Sequence, residues 1–334
     1  MTPPARRLAL PDGVGPLDEA AVAPLLPARP ETGHKGTFGT LVAVCGSLDH
    51  LGAALLAGGA ALRAGAGLVV LAVPVSLQPI AAGRIPELIT MGLPEVAPGE
   101  VDVGPALAAL ADRGRTALLV GPGLRPGPAT QAMVRGLLAA PGGATAAAED
   151  TTPAVVDAEA LNGLAVTPDW WAATGRPCVL TPHPGEFARL DGAAVGGDDA
   201  QRADRARAAA VRWGQVVVLK GAHTVVAAPD GTVVMAEAAN PALGTGGTGD
   251  VLAGTIGSLL AQGCSPWDAA RLGVHLHATA GAHVRERLGD AGLLASDLLV
   301  ELPRVRRHLV RLAERHAPER RQLGFSIHRS DSAS

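Results

Sequence analysis

Residues 215–254 read QVVVLKGAHTVVAAPDGTVVMAEAANPALGTGGTGDVLAG. Gln215–Leu219 is an unbroken apolar run of strand length that stops at Lys220. Thr224–Ala228 and Thr232–Ala236 flank Pro229-Asp230-Gly231, which predicts a hairpin. Gly244, Gly246, Gly247 and Gly249 then fall within six residues, just ahead of a helix expected over Gly249–Gln262. A strand, a hairpin and a glycine run opening a helix belong to an α/β protein.

Outward from this stretch the same alternation continues. Short apolar runs at Thr40–Cys45, Gly67–Val73, Ala117–Val120, Pro153–Asp157 and Pro177–Leu180 read as buried strands. Helical patterns at Ala53–Ala64, Ala129–Leu138 and Asp198–Trp213 lie between them, and two more follow at Pro266–Leu288 and Ser296–Val310. Buried strands separated by helices imply a mainly parallel central sheet with helices on both faces. Ligands of such sheets sit at the carboxyl ends of the strands. Here the polar and glycine signals fall just after strands: Gly46-Ser47, GPG at 121–123, Asp157, TPHPGE at 181–186 and KGAHT at 220–224. One shared site is therefore expected along that edge.

Composition narrows the class. The 334 residues include 43 Gly and 27 Pro without a Gly-X-Y period, so a collagen-like chain is excluded. Hydrophobic residues make up 48%, too many for a disordered protein. A net charge of −3, no Tyr, 3 Phe and 4 Trp speak against a nucleic-acid binder. Three cysteines, Cys45, Cys178 and Cys264, lack paired spacing, which fits a reducing cytoplasm and neither a disulfide framework nor a zinc site. His275 and His277 are two apart on one helix and point to different faces, so they make no zinc pair. The N-terminus is broken by Pro and Gly and is no signal peptide, and the apolar stretch Leu51–Val75 carries Arg63 and several glycines, so no membrane span is expected. Residues 1–30 read as a Pro-rich arm with a short helix at Asp18–Leu26, residues 31–316 as one domain, and residues 317–334 as a disordered tail.

Of 28 basic residues only Lys35 and Lys220 are lysines, and each precedes a glycine. An ammonium beside bare backbone suits a phosphate or carboxylate. The glycine run 244–249 lets main-chain N–H groups converge on an anion, and the helix after it aims its positive end at the same point. The run lacks the Gly-Lys-Ser/Thr ending of a P-loop. Asp250 stands in the first turn, where a carboxylate repels a phosphate unless it accepts a proton from an attacking hydroxyl; a plain helix cap is the alternative. In KGAHT, Lys220 and the following amides could hold a nucleotide phosphate, or simply end a strand. In TPHPGE, two prolines fix His183 for hydrogen bonding or proton shuttling, or for a structural role, and Glu186 starts a helix. Asp157 and Asn162 of VVDAEALN could orient a hydroxyl or a magnesium-bound water, or Asp157 could cap a helix.

Taken together, the chain resembles the ADP-dependent NAD(P)H-hydrate dehydratases of the ribokinase-like superfamily. The resemblance rests on KGTFGTLVAVCGS (35–47), LGAALLAGGAALRAGAGLV (51–69), GPGL (121–124), VVDAEALN (155–162), LTPHPGEFARL (180–190), VVLKGAHTVVAAPDG (217–231), NPALGTGGTGDVLAG (240–254) and ASDLLVELP (295–303), in the family's order over about 33–310. It implies a ribokinase-like fold and a repair enzyme. The enzyme would dehydrate the S epimer of NADH hydrate and NADPH hydrate while converting ADP to AMP and phosphate, with Mg2+. It implies nucleotide contacts at Lys220, Gly221, Ala222, His223, Thr224 and Gly249, joined by Gly246, Gly247 and Thr248 of the glycine cradle. It implies hydrate contacts at Ala53 (or its neighbour Ala54), Gly123, His183 and Asp250, with Asp250 as base. It further implies a homo-oligomer, such as a tetramer, and a separate epimerase, since about 30 residues ahead of Lys35 leave no room for one.

Two other functions share parts of this pattern. One is a ribokinase-like, ATP-dependent kinase of a small alcohol or vitamin precursor. The other is an ADP-sensing module without turnover. TPHPGE together with KGAHT favours the dehydratase over the kinase, and Asp250 speaks against the sensor.

Overall fold

The computed structural model describes residues 9–139, 151–237 and 239–316; the tail expected at 317–334 lies outside them. The strands are β1 (Gly15–Pro16), β2 (Thr40–Val44), β3 (Leu68–Pro74), β4 (Ile89–Leu93), β5 (Glu95–Ala97), β6 (Glu100–Val101), β7 (Ala117–Val120), β8 (Ala154–Val156), β9 (Cys178–Leu180), β10 (Val216–Leu219), β11 (Val225–Ala227) and β12 (Val233–Met235). Ten of them form one sheet in the order β1-β12-β11-β10-β9-β8-β7-β2-β3-β4, and β5 pairs only with β6. From β10 through β4 every neighbouring pair is parallel. β11 runs antiparallel to both of its neighbours, β10 and β12, the expected hairpin joining β11 to β12. The chain order reverses beside β2, with β3 on one side and β7 on the other. At such a switch point the crossovers diverge and leave a crevice.

The helices are α1 (Glu19–Val22), α2 (Leu51–Ala64), α3 (Gln78–Ala82), α4 (Val103–Ala111), α5 (Pro128–Leu138), α6 (Glu159–Ala165), α7 (Pro184–Asp191), α8 (Asp199–Trp213), α9 (Thr248–Ala261), α10 (Pro266–Leu288) and α11 (Ala295–His316). Side chains alternate across a strand, so each strand feeds two cores. In β2, Leu41 and Ala43 join a core with α2, α9, α10 and α11, whereas Val42 and Val44 join one with α4, α5, α6, α7 and α8. The expectation of a mainly parallel sheet covered on both faces is borne out.

Three parts differ from the sequence reading. Strands β4 to β6 and helices α3 and α4 were not foreseen: Thr90 and Gly92 interrupt β4, and β5 and β6 are too short to show a period. Helix α11 runs on past Val310 and carries Pro303 inside it. The N-terminal segment is not detached, because Gly15 and Pro16 pair with β12 and extend the sheet.

Helix α9 is buried along most of its length. It packs on α2 with backbone clearance only: a Cβ on Gly254 would lie 2.1 Å from the carbonyl oxygen of Ala57. These two helices bring Asp250 and Ala53 to the same edge of the sheet.

Candidate active site

The site is built at the carboxyl ends of β8, β9 and β10 and at the start of α9. Gly247 caps α9 with φ +90°, a conformation open to glycine and strained for other residues. No side chain caps this end of the helix, so the first-turn amides and the positive pole remain for a ligand. The hydroxyl of Thr248 instead donates within the loop, to the carbonyls of Leu243 (2.8 Å) and Thr245 (2.9 Å).

His277, buried on α10, holds the same turn from behind, its Nε2 lying 2.8 Å from the carbonyl oxygen of Thr248. Burial, only partly offset by the Thr248 carbonyl, pushes the His277 pKa down to about 4, so the ring is neutral and Nε2–H donates. This is the role of a histidine that the sequence reading weighed only as a metal ligand. Among the described residues no group of three or more His, Cys, Asp or Glu side chains forms a metal site.

Lys220 ends β10 and turns into the centre. Its Nζ donates to Asp157 Oδ1 at 2.8 Å and lies 3.8 Å from Glu186 Oε2. Asp157 also accepts from Thr181 Oγ1 at 2.7 Å. Burial works to lower the Lys220 pKa, but Asp157 and Glu186 outweigh it and the net shift is upward, so the ammonium is permanent. Glu186 is shifted upward, first by burial and against the pull of Lys220. The sequence reading placed Glu186 only as the start of a helix, and three loops were needed to bring it beside Lys220.

Asp250 lies in this field. Burial foremost, then the negative charge of Asp157, raises its carboxyl to about 7, and Lys220 opposes the rise. A carboxyl that titrates near neutrality can accept a proton from an alcohol and release it again. Its Oδ2 folds back toward the N-cap, 3.8 Å from where a Cβ on Gly247 would be.

The other expected residues separate into groups. Lys220, Gly221, Ala222, Thr224, Thr248 and Gly249 line one cleft of about 470 Å³, between the KGAHT loop and the start of α9. Gly246 and Gly247 shape the turn without lining that cleft. His223 turns away, its Nδ1 2.6 Å from Asp199 Oδ2 on α8. Ala53 and Gly123 sit against each other, since a Cβ on Gly123 would lie 2.9 Å from Ala53 Cβ. His183 is half exposed, and its Nδ1 accepts from the amides of Gly185 (3.0 Å) and Glu186 (3.3 Å), which caps α7. Asn162 accepts from Arg189 Nε at 2.8 Å and donates to Glu159 at 2.9 Å, and no side-chain bond joins it to Asp157 among the described residues.

One residue was missed altogether. Arg202, buried on α8, donates to the carbonyls of Leu219 (3.4 Å), Lys220 (3.3 Å) and His223 (3.2 Å) and so holds the KGAHT loop in place. In an Arg/Ala-rich helix nothing marked it out from its neighbours.

Comparison with known proteins gives a consistent result. The family model described as NAD(P)H-hydrate dehydratase matches residues 41–304. The chain is 44% identical to the bifunctional NAD(P)H-hydrate repair enzyme Nnr of Moorella thermoacetica, over 85% of this chain but 52% of that one. It thus spans about half the length of the bifunctional relatives. It is 39% identical to the ADP-dependent (S)-NAD(P)H-hydrate dehydratase of Xanthomonas campestris, over 86% of this chain and 96% of that one. The ADP/ATP-dependent NAD(P)H-hydrate dehydratase of Bacillus subtilis, co-crystallised with ATP/Mg2+, superposes with a TM-score of 0.74 at 33% identity, covering 90% of this chain and 100% of its own. A ribokinase-like superfamily protein from Enterococcus faecalis shares the fold at 22% identity and a TM-score of 0.74, over 91% and 99% of the two chains.

Proposed function

The chain belongs to the NAD(P)H-hydrate dehydratase family, and from that membership and the geometry above we propose that it dehydrates the S epimer of NADH hydrate and NADPH hydrate, converting ADP to AMP and phosphate. One observation carries the chemical part of this reading. Asp250, a partly buried carboxyl pushed up to about 7 by burial and then by Asp157, stands in the uncapped first turn of α9, within the field of a permanent ammonium, Lys220.

ADP lies in the cleft between the KGAHT loop and α9, with its diphosphate against Lys220 and the amides of α9. The hydrate lies toward Ala53, Gly123 and His183, with its ring hydroxyl at Asp250. Asp250 takes the hydroxyl proton as the oxygen attacks the terminal phosphorus of ADP; a new P–O bond forms, and AMP leaves as the old one breaks. Growing negative charge on the transferred group meets the α9 amides and Lys220. The ring C–O bond then breaks with phosphate as the leaving group, and loss of an adjacent ring proton restores the double bond. Phosphate leaves far more readily than hydroxide, which accounts for the use of a nucleotide in a dehydration.

Mg2+ would accompany the nucleotide phosphates; Asp157 and Glu186 are both engaged by the Lys220 ammonium, so neither is assigned as its ligand. When bound it neutralises phosphate charge. Because only the S epimer is consumed, an NAD(P)H-hydrate epimerase is the functional partner. Assembly into a homo-oligomer, a tetramer, completes the proposal.

The test is recovery of reduced-nicotinamide absorbance from purified hydrate on addition of ADP and Mg2+. Recovery in step with AMP release supports the reading. Absence of recovery with either ADP or ATP, alongside phosphorylation of an alcohol, overturns it.

A further inference from the structure

A second pocket, of about 250 Å³, opens at the same edge of the sheet. Its floor is Val44, Ala72, Leu93 and Met133, all from the core opposite to that of α9. Along the sheet, β9, β8 and β7 lie between β2, whose end borders this pocket, and β10, whose end borders the 470 Å³ cleft. The two sites nevertheless adjoin. Cys45 forms part of the pocket wall and is close enough to Asp250 for that carboxylate, after burial itself, to raise the thiol pKa. The loop bearing Gly123, which touches Ala53, runs on into Leu124 and Arg125 at the pocket rim.

Several features mark this as a built site. Ser47 lines the pocket, is 2% exposed, and its Oγ has no hydrogen-bond partner. A buried hydroxyl left unpaired is costly unless a ligand completes it. Arg125 is exposed at the rim, and no carboxylate pairs with it among the described residues. The start of α5 faces the same space, with Gly127 as a cap that lacks a side-chain bond. The opposite wall, the β5–β6 turn, is pinned by Glu95, which accepts from the amides of Ser76 (3.1 Å) and Gly99 (2.6 Å). Glu100 brings a carboxylate to that wall.

A dinucleotide hydrate carries a second nucleotide beyond its reacting ring, and this pocket opens along the same edge of the sheet. We propose that the pocket holds the nucleoside-phosphate half of the hydrate beyond the reacting ring, with Arg125 on a phosphate, Ser47 and Glu100 on ribose hydroxyls, and the base on the apolar floor. The inference rests on the dehydratase reading and deepens it. Arginine is suited to phosphate because its planar fork donates two parallel hydrogen bonds.

The test uses the whole protein, ADP, and three hydrates: those of NADH, of NADPH, and of reduced nicotinamide mononucleotide, which lacks the second nucleotide. Arg125→Glu, and independently Ala129→Phe to fill the pocket, should raise KM for the dinucleotide hydrates about tenfold or more. KM for ADP and turnover of the mononucleotide hydrate should stay within about twofold of wild type. An effect confined to NADPH hydrate assigns Arg125 to the 2′-phosphate, and an equal effect on both assigns it to the diphosphate. If both variants leave KM unchanged, or impair all three hydrates alike, the pocket assignment is overturned while the dehydratase reading stands. If the wild type converts no hydrate with ADP, the dehydratase reading falls and the pocket assignment falls with it.

Discussion

The two ends of the sheet edge are built by different means. On the β10 side the cleft combines Lys220, the KGAHT turn, Gly244 and Gly249 with apolar side chains of Leu243, Leu252 and Val274. On the β4 side the pocket is made of apolar walls from four separate segments, with polar groups at Ser47, Glu100, Arg125 and Thr130. The first suits a diphosphate, whose recognition needs converging amides and a cation. The second suits a ligand with an apolar face and few polar points. Backbone recognition leaves glycines and a rare lysine in the sequence, whereas an apolar wall looks like any other core.

The sharpest test of this contrast removes the group between the two ends. Asp250→Asn should lower turnover by about 10²–10⁴-fold while ADP binding persists, measured by titration calorimetry. The wild-type rate should rise with pH through a limb near 7, where Asp250 loses its proton. Stability moves the opposite way. The folded pKa, about 7, exceeds the ordinary 3.8, so the native state binds the extra proton between those values and stability falls as pH rises across that window. Asp250→Asn should flatten this loss, giving a Tm at pH 8 above that of the wild type.

Lys220→Met comes next, with an expected loss of about 10²-fold in kcat/KM. Without the ammonium that opposes its rise, Asp250 should titrate higher still, and the rate limb should move above 7. Unchanged pH dependence would separate Lys220 from Asp250.

Arg202→Met follows. Arg202 is a positioning residue: it holds the carbonyl of Leu219 at the end of β10 and those of Lys220 and His223 in the KGAHT turn. Its loss should raise KM for ADP about tenfold with kcat within a few-fold, a split that general destabilisation would not give. The smallest effect belongs to the β4 side. Ser47→Ala removes an unpaired buried hydroxyl, so the free protein should gain up to about 1 kcal/mol, read as a higher Tm. Its KM for the dinucleotide hydrates should rise a few-fold.

The sequence disclosed these two ends unequally. The strands β2, β3, β7, β8, β9 and β10, the hairpin, and the helix after the glycine run were all legible, because each is a continuous apolar run bounded by glycine, proline or charge. The chemical candidates after those strands were legible for the same reason. What was not legible depends on pairing across the sheet. Asp157, TPHPGE and KGAHT were expected to share one site at the strand ends, but no local spacing says that Lys220 bonds Asp157 and lies beside Glu186. Arg202 and His277 carried no local mark, because their work is to hold carbonyls of another element. The β4–β6 region escaped because Gly92 and Thr90 break the apolar run of β4, β5 and β6 are only three and two residues long, and its walls are ordinary valines, prolines and leucines.

Gly254 has a consequence for how this chain can vary. With a Cβ there only 2.1 Å from the Ala57 carbonyl, α2 and α9 touch main chain to main chain. One added methyl would lever the helices apart, and Asp250 sits only four residues, about 6 Å of helical rise, from the fulcrum. Reactive geometry is thus secured by a hinge pin with no thickness to spare. Substitution there is confined to the smallest residue, and part of the abundance of glycine reflects mechanical tolerance and not flexibility.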